Sequence, residues 1–151
     1  MIDKVLLSLG IHLPVPPAAA GSYVPVVVSC KLAFVSGQIP LVGKEIKFKG
    51  KVGKDMTIEE GQEAAKLCMI NCLAQLNAFL GGLDRISRIV KVTGFVNCDA
   101  SFTDHPKVID GASDLLVKVF GENGRHARAA VGMSSLPLDS AVEVELVAEL
   151  S

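Results

Sequence analysis

From Thr57 to Gly82 the chain reads as one long amphipathic helix, and that segment limits what the remaining residues can build. Thr57-Ile58-Glu59-Glu60 fits a capping box, in which the Thr57 hydroxyl and the Glu60 carboxylate each satisfy an amide left orphaned at a helix start. Apolar residues then recur at Ala65, Cys68, Met69, Cys72, Leu73, Leu76 and Leu80, the three-and-four spacing of a buried stripe. Gly81-Gly82 ends it. A stripe of this length must be covered, and strand patterns stand on both sides of it.

Upstream, Tyr23 to Val28 is β-branched, Ser29-Cys30-Lys31 is a turn, and Leu32 to Ser36 is a second strand, so the pair predicts a hairpin broken at Gly37. Residues 45–49 alternate weakly and predict a third, exposed strand. Downstream, Ile86 to Val96 predicts a strand with Val90, Val92 and Val96 on one face and Lys91, Thr93 and Phe95 on the other. After a polar loop over 97–105, Pro106 suits the first turn of a second helix. Its stripe is Val108, Ala112, Leu115, Leu116 and Val119. Two alternating runs, 126–133 and 141–150, close the chain around a turn at Leu136-Pro137-Leu138-Asp139. The order is a β-hairpin, then α, β, α, β, β, which indicates an α+β two-layer sandwich with the helices on one face of the sheet. At the start, residues 3–9 predict a short helical turn ending at Gly10, and Pro14, Pro16 and Pro17 force an extended arm. We therefore divide the chain into an arm, 1–20, and a single domain, 21–151.

Charge and cysteine usage narrow the function classes. Fifteen basic residues against sixteen acidic ones give a formal net charge of −1, whereas a chain that grips a nucleic-acid backbone usually carries a basic excess. The only basic cluster is Lys44, Lys47, Lys49, Lys51 and Lys54. A small-molecule ligand is expected, with no nucleic acid and no membrane, since no apolar run approaches the roughly 20 residues of a bilayer span. Cys68 and Cys72 are four apart rather than in a C-x-x-C motif, and His12, His105 and His126 are scattered, so no metal site is expected. Asp3 beside Lys4, and the interruptions at Gly10, His12 and Pro14, argue against a secretory leader. Four reduced thiols in a cytoplasmic protein are the expectation.

No nucleophile elbow, phosphate loop, H-E-x-x-H or dinucleotide fingerprint is present. Polar residues on otherwise apolar strands remain. Arg128 lies mid-strand between small residues, where its fork matches a carboxylate in two parallel hydrogen bonds. The plainer reading pairs it with Glu143 or Glu145 on an adjoining strand. Glu143, in Val142-Glu143-Val144-Glu145, can hold or deprotonate a water if it sits near Arg128 in a partly dry pocket, and is otherwise part of a solvated face. Ser36-Gly37-Gln38 offers a hydroxyl and bare amides, or simply ends a strand. Tyr23, the only tyrosine, stacks over a ligand or plugs the core. His126 reads as structural, and Asp110, off the apolar stripe of its helix, as solvent-exposed.

The residues also resemble a known family. Gly21-Ser22-Tyr23 with Phe34-Val35-Ser36-Gly37-Gln38-Ile39-Pro40 is similar to the N-terminal signature of the Rid/YjgF family of reactive-intermediate (enamine/imine) deaminases. His126-Ala127-Arg128-Ala129-Ala130-Val131, Leu136-Pro137 and Val142-Glu143-Val144-Glu145 resemble its C-terminal signature. The longer arm and Gly111-Ala112-Ser113-Asp114-Leu115-Leu116 are similar to a subgroup of about this length, often labelled endoribonuclease-like.

That resemblance implies a chorismate-mutase-like fold, a homotrimer with clefts between subunits, and no cofactor. It gives Arg128 the carboxylate of 2-aminoacrylate or related imino acids, and gives Glu143 the hydrolytic water. Tyr23, Ser36 and Gly37 match the ligand-binding positions of the first block. At two further substrate-binding positions Ala130 stands where a cysteine is common and Asp110, whose charge can repel a substrate carboxylate or neutralise Arg128, where asparagine is frequent; Ser113 stands where an aromatic residue is expected. The leading reading is hydrolytic deamination of enamine or imine intermediates to 2-keto acids and ammonia. The alternatives are a trimeric carboxylate-binding or protein-interaction module without turnover, and an endoribonuclease.

Overall fold

The computed structural model describes residues 1–151. Its elements are α1 (Ile2–Ser8), β1 (Val26–Ser29), β2 (Leu32–Gln38), β3 (Leu41–Val42), β4 (Glu45–Ile46), α2 (Ile58–Leu80), β5 (Ile86–Asn97), α3 (His105–Phe120), β6 (Ala127–Met133) and β7 (Val142–Leu150). The capping box is formed: Glu60 N donates to Thr57 Oγ1 at 3.1 Å, and Thr57 N donates to Glu60 Oε2 at 2.8 Å. Gly81 ends α2 in the left-handed conformation, φ 72°.

Five strands form one mixed sheet in the order β1-β2-β7-β5-β6. β7 pairs antiparallel with both β2 and β5, while β5 and β6 run parallel. The last strand therefore inserts between two that precede it, and β6 does not touch β7. Helices α2 and α3 cover one face and enclose the hydrophobic core, with Met69, Leu73, Ile89, Val92, Ile109, Leu116 and Leu146 fully buried. Each such side chain contributes about 1.5–3 kcal/mol of burial. The two helices meet closely at Gly111, where a Cβ would collide with the carbonyl of Gln62.

The expected α+β sandwich is present, with local differences. The first strand begins at Val26, since Tyr23 to Pro25 lie outside the ladder. The expected strand over 45–49 is the second half of a small separate hairpin, β3-β4. In β5 it is Ile89, not Val90, that shares the buried face with Val92 and Val96, because the register with β7 shifts between Ile89 and Lys91. Arm residues Leu6 and Ile11 belong to the same core as the strands and helices. No helix is long and apolar enough to cross a membrane.

Candidate functional site

The signature residues fall into two groups on opposite faces of the sheet. Arg128 pairs with Val92 across β6 and β5, and Val92 pairs with Leu146 of β7; Val92 and Leu146 are buried under the helices. Glu143 pairs with Phe95, which pairs with Val131. Phe95 lies three residues from Val92, an odd number, so the Glu143 row projects from the uncovered face. Within one chain Arg128 and Glu143 do not meet. Neither does Arg128 pair with Glu143 or Glu145 as the plainer sequence reading had it.

The Glu143 group lines a cavity of about 610 Å³ together with Tyr23, Gly37, Gln38 and part of the arm. Its geometry follows from a bulge. Between Val35 and Gln38 the β2 ladder carries two residues, Ser36 and Gly37, against one on β7. Gly37 then lies directly against the Glu143 carboxylate, so closely that any Cβ would collide with Glu143 Oε1. The Ser36 hydroxyl donates to Val24 O at 2.9 Å, tying the strand to the segment that carries the exposed Tyr23. Burial raises the Glu143 carboxyl above its usual value, and the neighbouring Glu145 charge adds to the shift.

Asn71 and Gln75, also on this cavity, were not singled out from the sequence. Both are almost fully buried on α2. Asn71 Nδ2 donates to Ile39 O and Leu41 O at 3.0 Å, which fixes the chain leaving β2. Two amides four residues apart beside an apolar stripe are a signal the sequence did contain.

The Arg128 group lies on the other face, against α3. Arg128 Nη1 donates to Asp110 Oδ1 at 2.8 Å and to Ser113 Oγ at 3.2 Å. Asp110 is thus half-exposed, and it is an ion-pair partner rather than only a solvated residue. His126 Nδ1 lies 2.6 Å from Gly124 O. A carbonyl only accepts, so Nδ1 carries the proton, and burial together with the nearby Arg128 charge holds the ring below its usual pKa and neutral. Nε2 therefore accepts from Ser113 Oγ at 2.9 Å, and that oxygen accepts in turn from Arg128. Three side chains hold one nitrogen of the guanidinium in place, directly or through a neighbour. Nε and Nη2 donate to nothing within the chain, and with the side chain 24% exposed they open to solvent. Ala130, on the same strand face as Arg128, is partly buried against the core.

The remaining polar groups are committed elsewhere. Arg125 Nε donates to both oxygens of Glu122 at 3.1 and 3.0 Å, and Lys51 Nζ donates to Asn97 Oδ1, Cys98 O and Ser134 O. All four cysteines are free.

The fold has counterparts among known proteins. The family model described as "YjgF/chorismate_mutase-like, putative endoribonuclease" matches residues 3–150. Protein TCP17 of Trypanosoma cruzi is 46% identical over 147 residues, covering 97% of this chain and 92% of that protein. The crystal structure of a protein of unknown function from Agrobacterium tumefaciens superposes with a TM-score of 0.93 at 44% identity, covering 99% of this chain and 92% of that one. The crystal structure of a "putative endoribonuclease" from Shewanella oneidensis gives a TM-score of 0.95 at 39% identity with 99% of each chain covered. The match along nearly the whole length, with the same fold, places this chain in the YjgF/chorismate-mutase-like family.

Proposed function

We propose that the protein hydrolyses reactive enamine and imine intermediates, of the 2-aminoacrylate kind, to 2-keto acids and ammonia, in clefts that two copies of the chain build together within a homotrimer. The observation that carries this reading is the free Nε–Nη2 edge of Arg128, a guanidinium fixed at its third nitrogen and open at the edge that matches a carboxylate. Glu143 and its cavity supply the complementary half from the opposite face of the sheet. A second copy is needed to bring the two halves together. The uncovered face also suits association, since it presents Val27 and Phe34, 51% and 44% exposed, in a row with Val147.

In the proposed reaction the substrate carboxylate binds the open edge of Arg128, and an enamine first tautomerises to its imine, gaining a proton at carbon and losing one from nitrogen. Water held by Glu143 adds to the imine carbon: a C–O bond forms, the C=N π pair moves to nitrogen, and nitrogen takes a proton. The water's second proton passes through the Glu143 carboxylate to the amine. The C–N bond then breaks, ammonia leaves, and the 2-keto acid carbonyl closes. A carboxyl raised above its usual pKa is better matched to this proton shuttle than an ordinary one. Nothing in these steps is oxidised or reduced, so no cofactor is required.

Ammonia release from freshly generated 2-aminoacrylate tests the reading. Arg128→Ala and Glu143→Gln should each lower the rate by about 10²-fold or more while the oligomer stays intact. A wild-type rate no higher than buffer, across several imino acids, would refute it.

A second reading has one observation in its favour. Asp110 already neutralises part of the Arg128 charge, which suits a carboxylate-binding module without turnover; saturable binding of 2-keto acids with no ammonia release would establish that instead. Cleavage of RNA finds less support. Arg125 and Lys51 are tied up within the chain, His126 is held neutral by burial and the nearby Arg128 charge, and net charge is −1.

A further inference from the structure

The clamp at Arg128 is not a bare cation. Asp110 Oδ1 accepts from Arg128 Nη1 at 2.8 Å, but Asp110 Oδ2 accepts no bond within the chain, and the side chain is 47% exposed. The ion pair therefore holds a free acceptor carrying negative charge as well as two free donors carrying positive charge. The Ser113–His126–Gly124 chain of hydrogen bonds fixes the arginine side of this pair. An anion alone meets attraction from Arg128 and repulsion from Asp110. A ligand bearing a carboxylate and, one atom away, a cationic N–H meets attraction from both.

We propose that Asp110 makes this site select zwitterionic α-nitrogen acids, that is, protonated iminium or ammonium carboxylates, over the anionic 2-keto acids that share their skeleton. The inference rests on the deaminase reading and adds a direction to it. The protonated iminium, the form most open to attack by water, is held at both ends, by Arg128 at the carboxylate and Asp110 Oδ2 at the N–H. The keto acid formed has no N–H to donate, and its ketone oxygen faces the Asp110 carboxylate lone pair to lone pair. Substrate is retained and product expelled by the same carboxylate.

L-alanine, L-lactate and pyruvate keep one three-carbon carboxylate skeleton and exchange only ammonium, hydroxyl and ketone. Their dissociation constants for the wild-type protein, from calorimetric titration and from inhibition of 2-aminoacrylate turnover, should rise in that order, with alanine about tenfold or more tighter than pyruvate. Asp110→Asn keeps an acceptor for Arg128 but removes the charge. It should weaken alanine, strengthen pyruvate and bring their ratio to about one or below. The wild-type series needs no variant, so a folding defect in Asp110→Asn does not hide the answer. Pyruvate binding as tightly as alanine, alanine failing to bind while turnover proceeds, or a ratio unmoved in folded Asp110→Asn, each overturns the role of Asp110 and leaves the deaminase reading standing. If no acid binds and nothing is turned over, the deaminase reading itself has failed, and the inference falls with it.

Discussion

Gly37 shows how little room the site leaves. Its missing side chain is the space into which the Glu143 carboxylate fits. Gly37→Ala should push that carboxylate aside and lower ammonia release by about 10²-fold, as displacements near 1 Å do elsewhere, while the thermal midpoint changes little because the position is exposed. Turnover and a melting curve on the same sample check both halves. Glu143 itself is held against its own preference, since burial and then Glu145 raise its carboxyl. A carboxyl whose folded pKa is raised favours the folded state when protonated, and that contribution is lost as pH climbs through the folded value. Glu143→Gln should therefore melt higher than wild type at pH 7 to 8 and show no such gain near pH 4, with turnover lost throughout. Glu145→Gln should move the acidic limb of the wild-type pH–rate profile to lower pH. If it stays put, Glu145 does not tune Glu143.

Among the elements, α2 and α3 carry most of the local specification. Thr57→Ala removes one side of the capping box and should cost about 1 kcal/mol. Gly111→Ala drives a methyl into the carbonyl of Gln62 and should cost about 1–3 kcal/mol. Urea unfolding at one fixed protein concentration measures both, and a neutral Gly111→Ala would show that the helices separate easily. Helix α2 was legible from sequence because its cap and stripe are local patterns. The bulges in β2 and β5 were not, because a bulge is a mismatch with a partner strand far away in sequence. Ile89 rather than Val90 faces inward for that reason. Arg128 and Glu143 were found as signature residues, yet their separation was hidden: β6 and β7 are neighbours in sequence while β5 stands between them in the sheet. The Asp110–Arg128 ion pair was legible only through the resemblance, which sets the Asp110 charge against Arg128; no local pattern joins that helix to that strand.

At the scale of the whole molecule, the five-stranded sheet has helices on one face and none on the other, and the two halves of the proposed site lie on different faces. Phe34→Glu places a charge in the apolar row of the open face. The proposed trimer should then give way to monomers by light scattering and turnover should be abolished, although Arg128, Glu143 and the cavity are untouched. The decisive measurement mixes two inactive proteins, Arg128→Ala and Glu143→Gln, refolded together in equal amounts. If each site takes Arg128 from one copy and Glu143 from the next, random assembly makes about one site in four intact, and about a quarter of wild-type ammonia release returns. Activity no higher than that of either variant alone, from mixed trimers shown to have formed, would contradict a site shared between copies.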